Sequence, residues 1–426
     1  MKILMIGSGG REHTLIWKIS LNPMIEKIYC ANGNGGISQL AECIDIRPDE
    51  IDSLLSFAKD NSIDITVAGP ELPLTLGIVD RFEEEGMRIF GPSKKAVEIE
   101  SSKAFAKELM KKYNIPTGDA DIFTSEDKAI AYIREKAFPI VIKADGLAAG
   151  KGVIIAYSQQ EAIETVRSIM GEKIFGDAGQ KIVIEEYIDG EEATFMAFTD
   201  GDTVIPMVSS QDHKRVYDGD KGPNTGGMGA YSPAPVITEE LEKRIMDEII
   251  VPIINGLSRE ERKYKGVIYA GLMIKGDAIK VLEFNARFGD PEAQVILPRL
   301  KTDIIEIMEA IIEERLKEIE IKWREDSTIC IVMSSAGYPG RYTKGKTITG
   351  IEDIQMEKDI IVFHAGTALK EGKFITDGGR VLGITATGSD LRDAIEKGYH
   401  AAGKIRFDGM HFRRDIGVKG LCKAGR

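Results

Sequence analysis

The sequence predicts a multidomain α/β protein, with an N-terminal parallel-sheet domain, a two-part centre and a small C-terminal α/β domain. Three observations carry that expectation. Strand and helix signals alternate over residues 1–91, the pattern of a parallel sheet covered by helices. A strand-rich stretch over 192–290 holds a long polar loop and then a strand with one polar face. The length of 426 residues exceeds what one hydrophobic core organises.

Taken in order, strands are expected near 2–7, 27–31, 64–69 and 88–91, and helices near 11–20, 50–60 and 75–85. A lysine-rich helical stretch from Lys94 to Tyr113 stops at Asn114-Ile115-Pro116, because proline cannot continue a helix and restrains the residue before it. A second unit follows, with strands at 119–123, 138–144, 152–157 and 181–188 and helices at 126–136 and 159–170. Ser158 and Glu161 have capping-box spacing at the start of the latter helix. Beyond it a helix is expected at 239–256. Ile304, Ile307, Met308, Ile311, Ile312 and Leu316 recur at helical spacing over 303–319, a core-facing stripe. Strands at 328–334 and 360–368 and a helix at 390–404 complete the chain.

Composition bounds the function. A net charge of −12 argues against general nucleic-acid binding, which needs a positive field to displace counterions. No apolar run approaches a membrane span, and the apolar start before Gly7 is too short for a signal peptide, so a cytoplasmic protein is expected. Cys30, Cys43, Cys330 and Cys422 have neither zinc-knuckle nor disulfide-framework spacing.

The most informative segment is Glu283-Phe284-Asn285-Ala286-Arg287-Phe288-Gly289-Asp290-Pro291-Glu292. If 278–288 is a strand, period-two alternation puts Glu283, Asn285 and Arg287 on one face and Leu282, Phe284, Ala286 and Phe288 on the other. A carboxylate beside an amide oxygen offers the hard ligands that Mg²⁺ prefers, and a guanidinium one step on can clamp a carboxylate or phosphate. A solvated edge-strand face is the plain alternative.

Upstream, strand 138–144 ends in Lys143, followed by Gly146, Gly150, Lys151 and Gly152. Small residues let backbone N–H groups approach phosphates, and the two lysines supply charge. The spacing is not that of a P-loop, since Gly152 and a strand follow Lys151. The acidic run Glu185-Glu186-Tyr187-Ile188-Asp189-Gly190-Glu191-Glu192 is either a solvated strand end or the hinge that accepts from a nucleoside. Gln211-Asp212-His213-Lys214-Arg215 and Gly222-Pro223-Asn224-Thr225-Gly226-Gly227-Met228-Gly229 form a loop long enough to suggest function. His213 reads better as a hydrogen-bonding residue than as a base. The Gly7-Ser8-Gly9-Gly10-Arg11-Glu12-His13 loop has Glu12 where a dinucleotide fingerprint needs glycine, yet N–H groups at a helix start followed by Arg11 suit a phosphate.

Together with Gly69-Pro70-Glu71-Leu72-Pro73-Leu74, Gly337-Tyr338-Pro339-Gly340, Phe363-His364-Ala365-Gly366-Thr367 and Gly379-Arg380-Val381-Leu382-Gly383, these blocks resemble the phosphoribosylamine–glycine ligase family of the ATP-grasp superfamily. The resemblance spans nearly the whole chain. It implies a Rossmann-like substrate domain over 1–102, an ATP-grasp small lobe over 103–190, a large lobe with the metal site over 191–325 and a C-terminal domain over 326–426. The implied reaction of purine biosynthesis joins glycine to 5-phosphoribosylamine while ATP becomes ADP and phosphate, through a glycyl phosphate. Lys103, Lys143 and the loop with Gly146, Gly150, Lys151 and Gly152 would meet the ATP phosphates, Glu185 and the Ile188 backbone the adenine, and Glu192 the ribose. Glu283 and Asn285 would hold Mg²⁺ or Mn²⁺. Arg287, Asp212, Lys214, Asn224, Thr225, Gly226 and Met228 would receive glycine, with Arg287, Asp212 and Lys143 acting in catalysis. Gly10, Arg11, Pro70 and Glu71 would receive the phosphosugar. Tyr269-Ala270-Gly271-Leu272-Met273 lacks the additional acidic metal ligand that many ATP-grasp enzymes carry there. A monomer is the family expectation, and another ATP-grasp ligase or carboxylase is the nearest rival reading.

Overall fold

The computed structural model describes residues 1–147 and 152–424. Apolar strands flanked by amphipathic helices build the first domain around a parallel sheet, in the order Glu42–Ile44, Lys27–Asn32, Lys2–Gly7, Ile65–Ala68, Ile89–Phe90. Lys2–Gly7 is central, and the connections leave it toward opposite edges. Its carboxyl end therefore opens onto a crevice lined by the loops after Gly7 and Ala68. The edge strand Glu42–Ile44, only three residues long, carries no period that a sequence pattern can register. The helix expected at 75–85 is two, Glu71–Leu76 and Ile78–Glu84. They break at Gly77, whose φ of +92° is a left-handed conformation natural to glycine.

The small lobe is an antiparallel sheet in the order Ala120–Phe123, Ile182–Glu186, Ile140–Ala144, Val153–Ala156. Ser158 caps the helix Gln159–Val166, accepting the Glu161 N–H at 3.2 Å while Glu161 accepts from Tyr157 N–H at 2.9 Å. This lobe has its own core, centred on Ile140, Ile142, Ile182 and Val166. The large-lobe sheet, in the order Val204–Pro206, Glu191–Thr199, Gly266–Lys275, Ala278–Asn285, shares its core with the first domain, where Phe82 and Leu4 join Phe195 and Phe284. A fourth sheet runs Gln211–Asp212, Gly229–Ser232, Ser327–Ser334, Arg380–Gly388, Ile360–His364. It joins the polar-loop segment directly to the C-terminal part of the chain, across residue 326.

The metal-candidate strand ends at Asn285, not 288, and contains a bulge. Gly271 pairs with Glu283 and Leu272 with Val281, leaving Leu282 extra. The bulge flips the parity: Ile279 and Val281 are buried before it, Phe284 and Ala286 after it. Glu283 and Asn285 do share a face. Leu282 is not on the packing face as the simple alternation had it, and Arg287 lies beyond the strand.

Candidate active site

Three elements bring the lysines together. Lys143 is the penultimate residue of strand Ile140–Ala144, Glu185 lies diagonally across the register on Ile182–Glu186, where it pairs with Val141, and Lys107 projects from helix Lys103–Lys112. Both ammonium groups form ion pairs with the Glu185 carboxylate, and all three side chains are at least nine-tenths buried. Lys143 also donates to the Leu282 carbonyl at 3.0 Å, the carbonyl that the bulge turns outward. Lys107 donates to Thr117 Oγ1 at 2.7 Å. Burial holds the Lys107 ammonium below its ordinary pKa against the opposing pull of Glu185. The Glu185 carboxylate expected to face an adenine is thus bracketed by two cations. Lys107 was missed by the sequence reading, although its spacing of four from Lys103 on a helix was the available signal.

Lys103 starts its helix beside Ser102, whose Oγ accepts the Phe105 N–H at 3.1 Å. Asp145 accepts from Ala104 N–H at 2.7 Å and Ser102 Oγ at 3.1 Å, so the turn after Lys143 is pinned to this helix start. Lys103 Nζ donates to the Gly146 carbonyl at 3.3 Å. Its pKa is lowered by burial, with Glu283 pulling the other way. A Cβ on Gly146 would lie 2.7 Å from Ala178, so the turn needs glycine. Gly152 accepts from Ala144 N–H at 2.8 Å. Gly150 and Lys151 lie outside the described residues.

On the opposing lobe, Lys214 lies 3.1 Å from Glu192 and 3.9 Å from Glu283. Burial disfavours its charge, but Glu192, Asp212 and Glu283 outweigh that and raise its pKa. The Glu283 carboxyl is lowered, because Lys214, Lys143, Lys103 and Arg287 together overcome its burial. Asp212 goes the other way. Burial, reinforced by Glu292, Glu192 and Glu283, raises its pKa against Lys214, and among the described residues its carboxylate accepts no hydrogen bond. Glu292 accepts from Tyr269 Oη at 2.9 Å and Thr194 Oγ1 at 3.0 Å.

An anionic oxygen on Glu283 and an amide oxygen on Asn285, side by side and ringed by lysines, fit one hard cation shared with a polyphosphate. No group of three or more His, Cys, Asp or Glu suited to a metal occurs among the described residues, so phosphate oxygens and water would complete the shell. Arg287 does not present an open fork. Its guanidinium meets Glu100 at 3.0 Å, Glu71 at 3.6 Å and Asn285 Oδ1 at 3.2 Å. Glu100, which also accepts the Ala286 N–H at 2.7 Å, was not foreseen.

Comparison with known proteins bears on this arrangement. Family models described as the N domain, ATP-grasp (A) domain and C domain of phosphoribosylglycinamide synthetase match residues 1–100, 101–293 and 328–419. This chain belongs to the phosphoribosylglycinamide synthetase family. It is 51% identical over 423 residues to the phosphoribosylamine–glycine ligase of Halalkalibacterium halodurans, covering 99% of this chain and 98% of that one. It is 50% identical to the enzyme of that name from Caldanaerobacter subterraneus, covering 98% and 99%. The crystal structure of phosphoribosylamine–glycine ligase from Thermotoga maritima superposes with a TM-score of 0.85 at 32% identity, over 98% of this chain and 100% of that one. Biotin carboxylase from Campylobacter jejuni, 15% identical with a TM-score of 0.76 over 98% and 94%, shares the fold. The expected ATP-grasp fold and ligase family both hold.

In this chain the loop after Gly7 differs from the phosphate cradle expected there. Glu12 accepts the Gly9 N–H at 2.6 Å, and Cβ atoms on Gly7 and Gly9 would lie 2.8 and 2.7 Å from its side chain. The Asp290 carboxylate lies alongside, its oxygens 3.3 and 3.5 Å from where Cβ atoms on Gly9 and Gly10 would be. Two carboxylates therefore occupy the helix start, which disfavours a phosphate at that point and suits hydroxyl or amine donors. Arg11 is paired with Glu12 at 2.6 Å and donates to the Phe288 carbonyl at 3.1 Å. Gly10 sits against Gln294 and Asp290, and Pro70 precedes the helix that begins at Glu71. The Met228 side chain is fully buried, and its N–H is held by the His213 carbonyl at 2.8 Å. Thr225 donates twice to the Lys214 carbonyl, each at 2.8 Å. Asn224 is exposed at a strand end, and Ile188 lies just past the strand carrying Glu185. No helix among the described residues is long and apolar enough to cross a membrane.

Proposed function

We propose that the cleft between the two lobes carries out the phosphoribosylamine–glycine ligase reaction of this family. The observation that supports it most is the meeting of Glu283 and Asn285 with Lys103, Lys143 and Lys214, a cation-binding pair facing a phosphate-binding set. ATP lies between the lobes, its phosphates toward Lys103, Lys143 and residues 146–152. Its nucleoside reaches the strand end at Glu185, Ile188 and Glu192. A cation held by Glu283 and Asn285, Mg²⁺ or Mn²⁺, neutralises charge on the transferring phosphoryl group when bound.

Glycine enters beside Arg287, Asp212 and the Asn224–Gly226 turn. For its carboxylate to reach Arg287, the guanidinium must exchange part of its contact with Glu71 or Glu100, which its fork geometry permits. Glycine's carboxylate oxygen bonds to the γ-phosphorus, the bond from that phosphorus to the bridging oxygen breaks, and ADP leaves. The amine of phosphoribosylamine, lodged near Gly10, Arg11, Pro70 and Glu71, then attacks the glycyl carbonyl and releases phosphate. Asp212, poised by burial to take a proton, is placed to handle the one lost from that amine. A closed cleft protects the acyl phosphate from water. The protein acts as a cytoplasmic monomer on small molecules only.

The test is ADP release with Mg-ATP, glycine and freshly generated phosphoribosylamine, omitting each in turn, in wild-type protein and Glu283→Ala. Strict dependence on both co-substrates is expected, with kcat of the variant at least a hundredfold lower and the glycine KM changed far less. Turnover with another carboxylate instead of glycine would overturn the substrate reading. Near-normal kcat in Glu283→Ala would overturn the cation assignment.

A further inference from the structure

Three C-terminal motifs, around Tyr338, His364 and Arg380, are left without a role by the reaction just described. Two of them grip the successive peptide units that meet at Gly226 in the substrate loop. The Gly226 N–H donates to Tyr338 Oη at 3.1 Å, and the Gly226 carbonyl accepts from Arg380 Nη1 at 2.6 Å. The same Nη1 reaches the Asp290 carbonyl at 2.7 Å, and Arg380 Nη2 pairs with the Asp290 carboxylate at 3.1 Å. Arg380 is the first residue of strand Arg380–Gly388, where the register against Ser334 shifts. Glycine flanks each partner for a steric reason. A Cβ on Gly226 would press on the guanidinium carbon at 3.1 Å, and one on Gly379 would collide with the Tyr338 ring.

We infer that Tyr338 and Arg380 are positioning residues through which the C-terminal domain holds the Asn224–Gly226 turn and the Asp290 loop in the geometry that receives glycine. This rests on the reading that the turn is a glycine contact. Both backbone groups of Gly226 are satisfied by side chains more than a hundred residues away, and a planar guanidinium serving three oxygens fixes direction as well as distance. Neither side chain needs to touch substrate. Their effect is to keep the turn and the Asp290 loop at a constant separation.

Steady-state kinetics of the full-length protein decide this, with KM determined separately for glycine, ATP and phosphoribosylamine in Tyr338→Phe, Arg380→Ala and Arg380→Lys. The expected result is a glycine KM raised at least threefold in Tyr338→Phe and at least tenfold in Arg380→Ala, with the ATP KM within twofold. Arg380→Lys should lie between wild type and Arg380→Ala, because one ammonium cannot serve all three oxygens. A purely structural role would lower kcat and thermal midpoint while leaving the KM ratio alone, and that pattern would overturn the inference, as would a glycine KM within twofold in both Tyr338→Phe and Arg380→Ala. Asn224→Ala separates the two levels. If it leaves the glycine KM unchanged, the reading of the turn as a glycine contact fails; if it raises that KM while Arg380→Ala does not, the positioning role alone fails.

Discussion

Replacing Lys107 by Met tests the charge network that the sequence did not reveal. In the native protein the Glu185 carboxylate is shared between Lys107 and Lys143, with side chains only 7% and 6% exposed against 2% for Glu185. Removing one partner of a buried ion pair costs about 3–5 kcal/mol. Here Lys143 remains and keeps part of the compensation, and Met recovers the packing of the lysine stem. Loss of the bond to Thr117 adds about 1 kcal/mol, so the net expectation is about 2–4 kcal/mol. For a cooperative unit of ~150–250 residues each kcal/mol is worth about 2–4 °C, giving a fall of ~4–16 °C in the transition that contains the small lobe.

Calorimetry of wild type, Lys107→Met, Glu185→Gln and the double variant reads this directly. The double variant should lose less than the sum of the singles, because Lys107 and Glu185 are direct partners. Kinetics adds a second signal. With Lys107 gone, Lys143 is the only cation on Glu185 among the described residues and is drawn away from phosphate, so the ATP KM should rise. A midpoint shift under 1 °C, or strict additivity in the double variant, would refute the network as described.

Arg287→Lys should raise the glycine KM about tenfold or more while leaving the ATP KM near its native value, because an ammonium cannot reproduce the fork that spans Glu100, Glu71 and Asn285; an unchanged glycine KM would refute the clamp. Asp212→Asn should stabilise the protein while abolishing turnover, measured by denaturant unfolding and ADP release across pH. The folded carboxyl is raised above its unfolded value, so native Asp212 costs nothing below about pH 4 and increasingly more as pH rises toward its folded pKa. The gain from Asn should grow over that interval, and a variant equally or less stable at pH 7 would contradict the assignment.

Much of the site was legible because it is carried by local patterns. The alternation of Glu283, Phe284 and Asn285 put a carboxylate and an amide oxygen on one face. Lys143 near a strand end before small residues suggested a phosphate loop, and Glu12 in place of glycine argued against a dinucleotide. Each of these depends on neighbours within a few residues, which period and turn chemistry encode. The bulge at Leu282 escaped because its extra residue is visible only against the partner strand.

The sequence by itself determined the fold class, most of the longer elements and the family, since strand and helix periods and short motifs are written in consecutive residues. Only the tertiary structure decided how the charges are spent. Arg287 is neutralised by Glu71 and Glu100, Glu185 by Lys107 and Lys143, the helix start by Glu12 and Asp290, and Gly226 by Tyr338 and Arg380. Apart from Glu12, which caps its own helix, each partnership joins residues distant in the sequence, and long-range contacts of that kind arise from packing, which no local periodicity records.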